Sequence, residues 1–476
     1  MMQYIHMRLS RRGRHAKYAA GAVLLALIAG CNTDKILAVT DPDVALPSAL
    51  TGASALPTLR AGAIGDFAVA YDGPTTDVAM VTMAGLLSDE LINTETFPTR
   101  IEIDQRAITL SNTSLTPVFY NINRARASAE RAIAAFKANA KTASDSTGYP
   151  EMLALNGMVY VLLAENYCGG VPHSTLNADG SFTFGAAMTT KQMLDSAIAQ
   201  FNAALAVTGG AQTATFTNLA SIGKGRALLD EGNYAAAAAA VASVPATFQY
   251  TYAHSATSGR ENNGTWSLTV SVARFGQADV EGINGLPFES EGNVKVAAVP
   301  DWRVADSLNH SGTSPGKGFD GVTVNYTQMK YPTMTSTDVI ADGVEGQLIL
   351  AENQLQSGNA AGALAILNAL RANTAVAALR GYPASSSLPP LTLQATTAAQ
   401  VDQLYKERAY WLFLTAHRVG DLRRLITQYG RGSETVFPTG PYFKGGTYGA
   451  DVSVPVPQAE QNNPNYSPAA CDPTKP

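Results

Sequence analysis

Residues Val401 to Gln428, VDQLYKERAYWLFLTAHRVGDLRRLITQ, decide the fold class. Val401, Leu404, Trp411, Leu412, Thr415, Val419, Leu422 and Ile426 fall largely at three- and four-residue steps, so a helical chain collects them into one apolar stripe. Glycine is a poor helix former, and a break is expected near Gly420. The same period recurs outward from this stretch. Ala341 to Gln356 and Ala360 to Arg371 precede it, and Asp77 to Leu91, Thr116 to Ala138, Glu151 to Asn166, Thr190 to Ala206, Leu219 to Glu231 and Tyr234 to Ala242 fill the first half. The chain is therefore read as mainly α.

Two of these segments are alike. Leu229-Asp230-Glu231-Gly232-Asn233-Tyr234-Ala235 and Gln356-Ser357-Gly358-Asn359-Ala360-Ala361 each set a Gly-Asn turn between alanine-rich helices. Small residues let paired helices approach closely, which predicts a tetratricopeptide-like helix-pair scaffold, although the full repeat signature and its strict period are absent. Between Val244 and about Thr337 the composition shifts to Gly, Asn, Ser, Thr and aromatics. Alternating runs such as Thr265-Trp266-Ser267-Leu268-Thr269-Val270 and Val322-Thr323-Val324-Asn325-Tyr326 read there as short strands among long loops. An insertion of this length is too long for a connector and is the natural place for function. Gly381 to Thr397 reads as a further loop, and the chain after Tyr429 as Pro- and Gly-rich coil. The expected organisation is a signal segment over 1–30, a tether over 31–50, a helical part over 51–243, a large irregular loop and short-strand insertion over 244–337, and a helical part with a coil tail over 338–476.

The N-terminus begins with Arg8, Arg11, Arg12, Arg14 and Lys17, continues with an apolar run from Tyr18 to Gly30, and places small residues before Cys31. The run has signal-peptide length and is too short to span a bilayer. Leu27-Ile28-Ala29-Gly30-Cys31 resembles the bacterial lipobox, which implies lipid on Cys31 and a membrane anchor. Beyond that segment 28 basic side chains face 38 acidic ones, a balance that argues against a nucleic-acid partner. Of the three cysteines, lipidation leaves Cys168 and Cys471 in an oxidising, exported context, where either a disulfide or two separate thiols is open.

Several motifs fail on chemistry. Gly312-Thr313-Ser314-Pro315-Gly316 matches the nucleophile elbow, but the oxyanion hole needs the N–H after the serine and Pro315 has none. Gly316-Lys317-Gly318-Phe319-Asp320-Gly321 matches a dinucleotide fingerprint, yet a strand-like segment follows where a helix N-terminus is required. No two histidines of the mature chain have metal-ligand spacing on one helix face, so no transition-metal site and no cofactor is expected. Asp89 and Glu90 are adjacent on a helical segment and point about 100° apart, which suits a helix-end role or a ligand contact better than acid–base catalysis.

Blocks spread in order over nearly the whole mature chain carry a family resemblance. Leu155 to Pro172, LNGMVYVLLAENYCGGVP, ends in Cys168-Gly169-Gly170-Val171-Pro172. Ala351-Glu352 lies upstream of Leu367 to Arg371. Glu407-Arg408, His417-Arg418 and Asp421-Leu422-Arg423-Arg424 follow, and then Val454-Pro455-Val456-Pro457, Glu460 and Asn463-Pro464-Asn465. This series resembles the SusD/RagB-like nutrient-uptake lipoproteins. Trp411-Leu412 and Thr415-Ala416 replace glutamate-containing steps of that pattern, so Arg408, Arg418 and Arg424 are expected to find Glu407, Asp421 or backbone carbonyls instead.

The resemblance implies a non-catalytic lipoprotein of the bacterial outer membrane that captures an oligosaccharide or similar nutrient and hands it to a SusC-like TonB-dependent transporter. Ser88 to Arg106 corresponds by position to the loop that often helps form the family's pocket, and Asp301-Trp302-Arg303 resembles its Asp-Pro-Arg element. Aromatic faces stack on sugar rings while amides, carboxylates and guanidinium groups bond hydroxyls. The expected binding surface is Asn93, Phe97 and Arg100 from the first loop with Trp266, Arg274, Trp302, Tyr326 and Tyr331 from the insertion. A surface-anchored helical-repeat adaptor is the alternative, and it requires an exposed apolar groove along the helices. A glycoside hydrolase would require two carboxyl groups about 5 to 10 Å apart in a cleft.

Overall fold

Several helices begin where the sequence supplies side-chain acceptors for their first N–H groups. The structure, a computed structural model, describes residues 51–177, 181–293, 295–308, 316–383 and 386–476. The signal segment, the tether, Cys31, His310 and Gly312 to Pro315 lie outside the described residues. Gly52–Pro476 form one compact unit. Its first half contains α1 (Leu56–Tyr71), α2 (Met80–Leu87), α3 (Pro98–Asp104), α4 (Leu115–Asn139), α5 (Tyr149–Asn166), α6 (Thr190–Leu205), α7 (Ala214–Asp230) and α8 (Tyr234–Val241). The second half adds α9 (Gly343–Gln356), α10 (Ala360–Arg371), α11 (Thr374–Leu379), α12 (Thr397–Trp411) and α13 (Arg418–Thr427). Thr189 opens α6 with a reciprocal capping box to Gln192, and Asp342 and Asn359 cap α9 and α10 by accepting from the N–H groups of Glu345 and Gly362. No helix of the described residues is long and apolar enough to cross a membrane.

Helix pairs dominate the packing: α1 lies on α4, α5 on α6, α6 on α7, α7 on α8 and α9 on α10. α5 is buried along almost its whole length, so it runs through the centre of the main core. The two Gly-Asn turns sit between α7 and α8 and between α9 and α10, and Gly232 and Gly358 take φ of 75° and 81°, the left-handed conformation that a side chain disfavours. Fold class and sequence reading agree here: a mainly α, helix-pair scaffold carrying an irregular insertion with short strands.

Three expectations need correction. The break in the last long helix falls at Leu412–His417, where Leu414 and Ala416 have φ of 50° and 58°, while Gly420 lies inside α13. A Cβ at position 420 would stand 2.9 Å from the Glu165 side chain, so that glycine serves the close approach of α13 to α5. Thr265 to Val270 is helical: Gly264–Trp266 form a short turn that Asn263 caps, and Ser267–Ser271 continue it as a wider coil. The Val322–Tyr326 run becomes extended only at its end, in Tyr326–Gln328. α1 had no counterpart in the sequence reading, because Gly62 and Gly65 blunt its pattern.

The strands are short and antiparallel: β1 (Leu91–Asn93), β2 (Gln249–Tyr252), β3 (Phe275–Gln277), β4 (Asp306–Leu308), β5 (Tyr326–Gln328) and β6 (Asp338–Asp342). β2 pairs with β6, Tyr252 opposite Asp338, and closes the two ends of the insertion like a neck. β1 pairs with β3, Asn93 opposite Phe275, and β4 with β5, Leu308 opposite Tyr326. Cys168, just after α5, is bonded to Cys471 with a Cα–Cα distance of 4.9 Å, which ties the tail to the helical body.

The charges of the C-terminal block are buried and most are paired, Arg423 instead donating to the carbonyls of Ala164 and Glu165 at 2.7 and 2.6 Å. Asp421 accepts both arms of Arg408 at 2.8 and 2.9 Å and an N–H of Arg424 at 2.9 Å. Arg424 also reaches Glu352 at 2.5 Å, and Glu407 receives Arg303 at 2.7 Å and Arg371 at 2.6 Å. Arg418 takes a partner that the sequence reading did not name: Asp89, at 2.6 and 2.8 Å. Asp89 and Glu90 are thus anchors between the first loop and the last helices. Glu90 accepts the Leu414 N–H at 2.9 Å, and burial pushes its carboxyl up to about 8.

Candidate functional site

The first loop and the insertion meet through backbone bonds before any side chain does. After β1, the Thr94 N–H donates to the Arg274 carbonyl at 2.8 Å, and the Thr94 carbonyl accepts from the Asp320 N–H at 3.0 Å. Asn325 donates to the Thr94 hydroxyl at 2.8 Å. This seam aligns one continuous face from Phe97 to Tyr326.

At one end of the face the Arg274 guanidinium is held between two rings, 4.8 Å from the Phe97 centroid and 3.9 Å from that of Phe319. Buried Glu95 neutralises it and also accepts from Arg100 at 3.0 Å. Phe97 is 43% and Phe319 50% exposed, so each shows solvent the ring face that the guanidinium leaves free. Lys444 joins this end to the C-terminal coil by donating to the Glu95 carbonyl at 2.8 Å and to Asp320 at 2.6 Å. Against the upward pull of burial, Lys444, Thr323 and two backbone N–H groups hold Asp320 down at about 2.

At the other end a cavity of about 370 Å³ opens, within the usual range for small ligands. Tyr326, Phe443, Val324 and Tyr448 supply its apolar surface, and Gln277, Asp279, Glu281 and Glu289 its acceptors. Burial raises Glu281 well above the carboxylate range, and the facing Asp104 adds to the effect. Asp104 itself is pushed up to about 6 by burial, opposed by the Tyr442 hydroxyl that donates to it at 2.6 Å. Burial, and then Glu289, lift Asp306 to about 7.

Of the expected surface, Asn93, Phe97, Arg100 and Arg274 converge around Glu95 and the β1–β3 seam, and Tyr326 forms the cavity wall. Asn93 is fully buried, with its N–H donating to Asp104 at 2.9 Å, so it shapes the seam from behind. Three residues lie elsewhere. Tyr331 is 1% exposed and donates to the Leu414 carbonyl at 3.0 Å, so no ring face is open to a ligand. Trp302 packs on Tyr382 and Trp411, 4.6 and 5.5 Å between centroids, and its indole donates to the Ser386 carbonyl at 2.8 Å. Trp266 lies half-buried against the main core. These three act in packing, because their rings fill gaps under the loops rather than line the cleft. Phe319, Phe443 and the acceptors of the cavity were absent from the sequence reading. Their signal is an aromatic side chain in a Gly- or Pro-rich coil, as in Gly318-Phe319 and Pro441-Tyr442-Phe443, where no core is available to bury it.

A second cavity, about 440 Å³, lies between α6, the α7–α8 turn and α13, and no aromatic side chain lines it. Large apolar side chains left exposed gather in the insertion: Val280, Ile283, Val296, Val299, Phe319, Val322, Val324 and Met329 make up half of those among the described residues. One group of described residues, Asp72, His254 and Asp338, brings three metal-type ligand atoms within 4.8 Å of one another. Its atoms are already engaged. Asp72 accepts from Gly264 and Thr265, Asp338 from Asn263 at 3.1 Å, and both imidazole nitrogens of His254 face oxygens, Glu261 at 3.1 Å and Asp338 at 2.9 Å. Burial disfavours the imidazolium, but Asp338 and Asp72 outweigh it and lift His254 to about 9, so this is an ion pair that knots α1 to the insertion.

Paired helices and a β-necked insertion give the chain a fold similar to that of solved SusD-like proteins. No family model matches the sequence and no curated protein matches it. Solved structures do. A SusD-like carbohydrate binding protein from Bacteroides fragilis superimposes with a TM-score of 0.60 at 14% identity, covering 87% of this chain and 99% of that one. A SusD superfamily protein from Bacteroides thetaiotaomicron gives 0.58 at 15% identity, covering 88% and 99%. A laminarin binding SusD-like protein gives 0.56 at 12% identity, covering 86% and 98%.

Proposed function

We propose that this protein is a non-catalytic binding subunit that captures an oligosaccharide in the cleft between the first loop and the insertion. It then delivers the ligand to a SusC-like TonB-dependent transporter of the bacterial outer membrane, where lipid on Cys31 anchors it. The observation that carries the binding step is the juxtaposition, in one cavity, of the Tyr326 and Phe443 rings with the acceptors of Gln277, Asp279 and Glu289. A sugar ring offers an apolar C–H face for the first set and a rim of hydroxyl donors for the second, and the exposed rings of Phe97 and Phe319 extend the platform for further residues of an oligomer. The carbohydrate-binding and laminarin-binding proteins of the same fold support the reading. So does the sequence resemblance, whose blocks run in order over nearly the whole mature chain. Closure over a transporter would follow from differential affinity of the ligand for the closed state.

Isothermal titration with neutral oligosaccharides, laminarin fragments among them, tests the binding step. Tyr326→Ala and Phe443→Ala should each weaken binding by about tenfold, the loss of one stacking contact and its buried area, with thermal unfolding unchanged. Unaltered affinity in both variants, or release of new reducing ends with saturable kinetics, would overturn it. Cys31→Ser should move the protein from the membrane fraction to the soluble fraction.

A further inference from the structure

We infer that the cleft is built for a saccharide carrying protonated amino groups, an oligomer of 2-amino sugars rather than a neutral or acidic glycan. The inference rests on the glycan-capture reading and names the substrate class of that same site. Among the described residues no lysine, arginine or histidine lines the cavity, whereas Asp279, Glu281 and Glu289 do. Asp306 stands behind them, held by the amides of Asn293 at 2.9 Å and Gln277 at 3.3 Å. None of the four carboxyl groups forms an ion pair with a described residue. Elsewhere in the molecule buried carboxylates meet guanidinium groups, as Asp89 meets Arg418 and Glu165 meets Arg226. Asp279 and Glu289 place negative charge at the cleft with no ion-pair partner among the described residues; burial first, and neighbouring carboxylates second, raise the Asp306 and Glu289 carboxyls.

One further atom points the same way. Gln277 is 2% exposed, and its amide is oriented by the bond from Nε2 to the Val304 carbonyl at 2.7 Å, so Oε1 is the free end and receives no hydrogen bond. Glu281 is 4% exposed; its Oε1 accepts from the Tyr448 hydroxyl at 2.9 Å, and its raised carboxyl keeps a proton facing Asp104, so it adds no charge to the cleft. A buried acceptor without a donor, as at Gln277, is costly, and an ammonium group brings three donors together with positive charge. The face of Tyr326 also favours a cation over a neutral group, while that of Phe443 is already approached by the Lys444 ammonium at 5.8 Å from its centroid. The carboxylates of the cleft are not gathered as three ligand atoms within 4.8 Å, as those around His254 are, so the fit is to an extended organic cation rather than a bare metal ion.

Titration of the intact protein near neutral pH and at low salt, with chitosan oligomers, their fully N-acetylated counterparts, oligogalacturonates of equal length and calcium chloride alone, tests the inference. The chitosan oligomers should bind at least about tenfold more tightly than the acetylated ones, with the preference fading as salt screens it. The double variant Asp279→Asn, Glu289→Gln should lose most of that preference while keeping the same thermal unfolding. Equal or tighter binding of the acetylated or acidic oligomer, displacement of the chitosan oligomer by calcium, or an undiminished preference in the double variant would each overturn it. If neutral oligomers bind in a Tyr326-dependent manner without any preference, the charge inference falls and glycan capture stands. If no saccharide binds, both fall.

Discussion

In the C-terminal helices Asp421 is clasped by Arg408 and Arg424, Glu407 by Arg303 and Arg371, and Asp89 by Arg418. At the cleft, Asp279 and Glu289 stand together with no ion-pair partner among the described residues. The first region buries its carboxylates and answers them with guanidinium groups, whereas the cleft carboxylates reach solvent and leave acceptors open. Paired buried charge specifies which elements meet, because a lone member would be intolerable in the core. Unpaired charge at a cavity mouth does the opposite, since a ligand is what completes it.

The comparison breaks most sharply at Arg408. Arg408→Ala removes one of the two guanidinium groups that answer Asp421 in the core, leaving Arg424 alone, and should cost about 3 kcal/mol, seen as a fall in the midpoint of urea denaturation. Cys471→Ser removes a link between residues 303 apart in sequence, and unfolding stability should drop by about 2 to 4 kcal/mol without loss of oligosaccharide binding. The His254 pair sits between the two regimes. Its folded-state value, about 9 against 6.5, is raised, so its stabilisation is complete below pH 6.5 and is lost as pH rises toward 9. Chemical denaturation of the protein and of His254→Gln across that range should therefore show a stability gap that shrinks with rising pH; a gap that widens would refute the imidazolium. The smallest effect is expected at the cleft itself. Asp279→Asn removes a charge that no described residue pairs and should change stability by less than about 0.5 kcal/mol, with any shift toward greater stability at alkaline pH.

Helix pairs were readable because their period is local: Ala360 to Arg371 was bounded correctly by Asn359 and the apolar step alone. Thr265 to Val270 misled because alternation and β-branching favour a strand, whereas Asp72, far away in sequence, accepts the N–H groups of Gly264 and Thr265 and fixes a helical turn. The convergence of the first loop with the insertion was legible as composition, since both regions are loop-rich with aromatics. The membership of the cleft was not. Phe443 arrives from the C-terminal coil and Phe319 from a turn, and no pattern within either segment states what it lies against. Tyr331 and Trp302 show the converse: large rings in a loop-rich insertion are also what its own small core is made of.

The β2–β6 neck brings Tyr252 opposite Asp338. Because entry and exit of the insertion are side by side, the segment behaves topologically as a cassette: a different loop of different length could be threaded between the same two points without rerouting the helices. Recognition could in this way diversify from one ligand to another while the hydrophobic framework, and whatever surface docks elsewhere on it, is inherited unchanged.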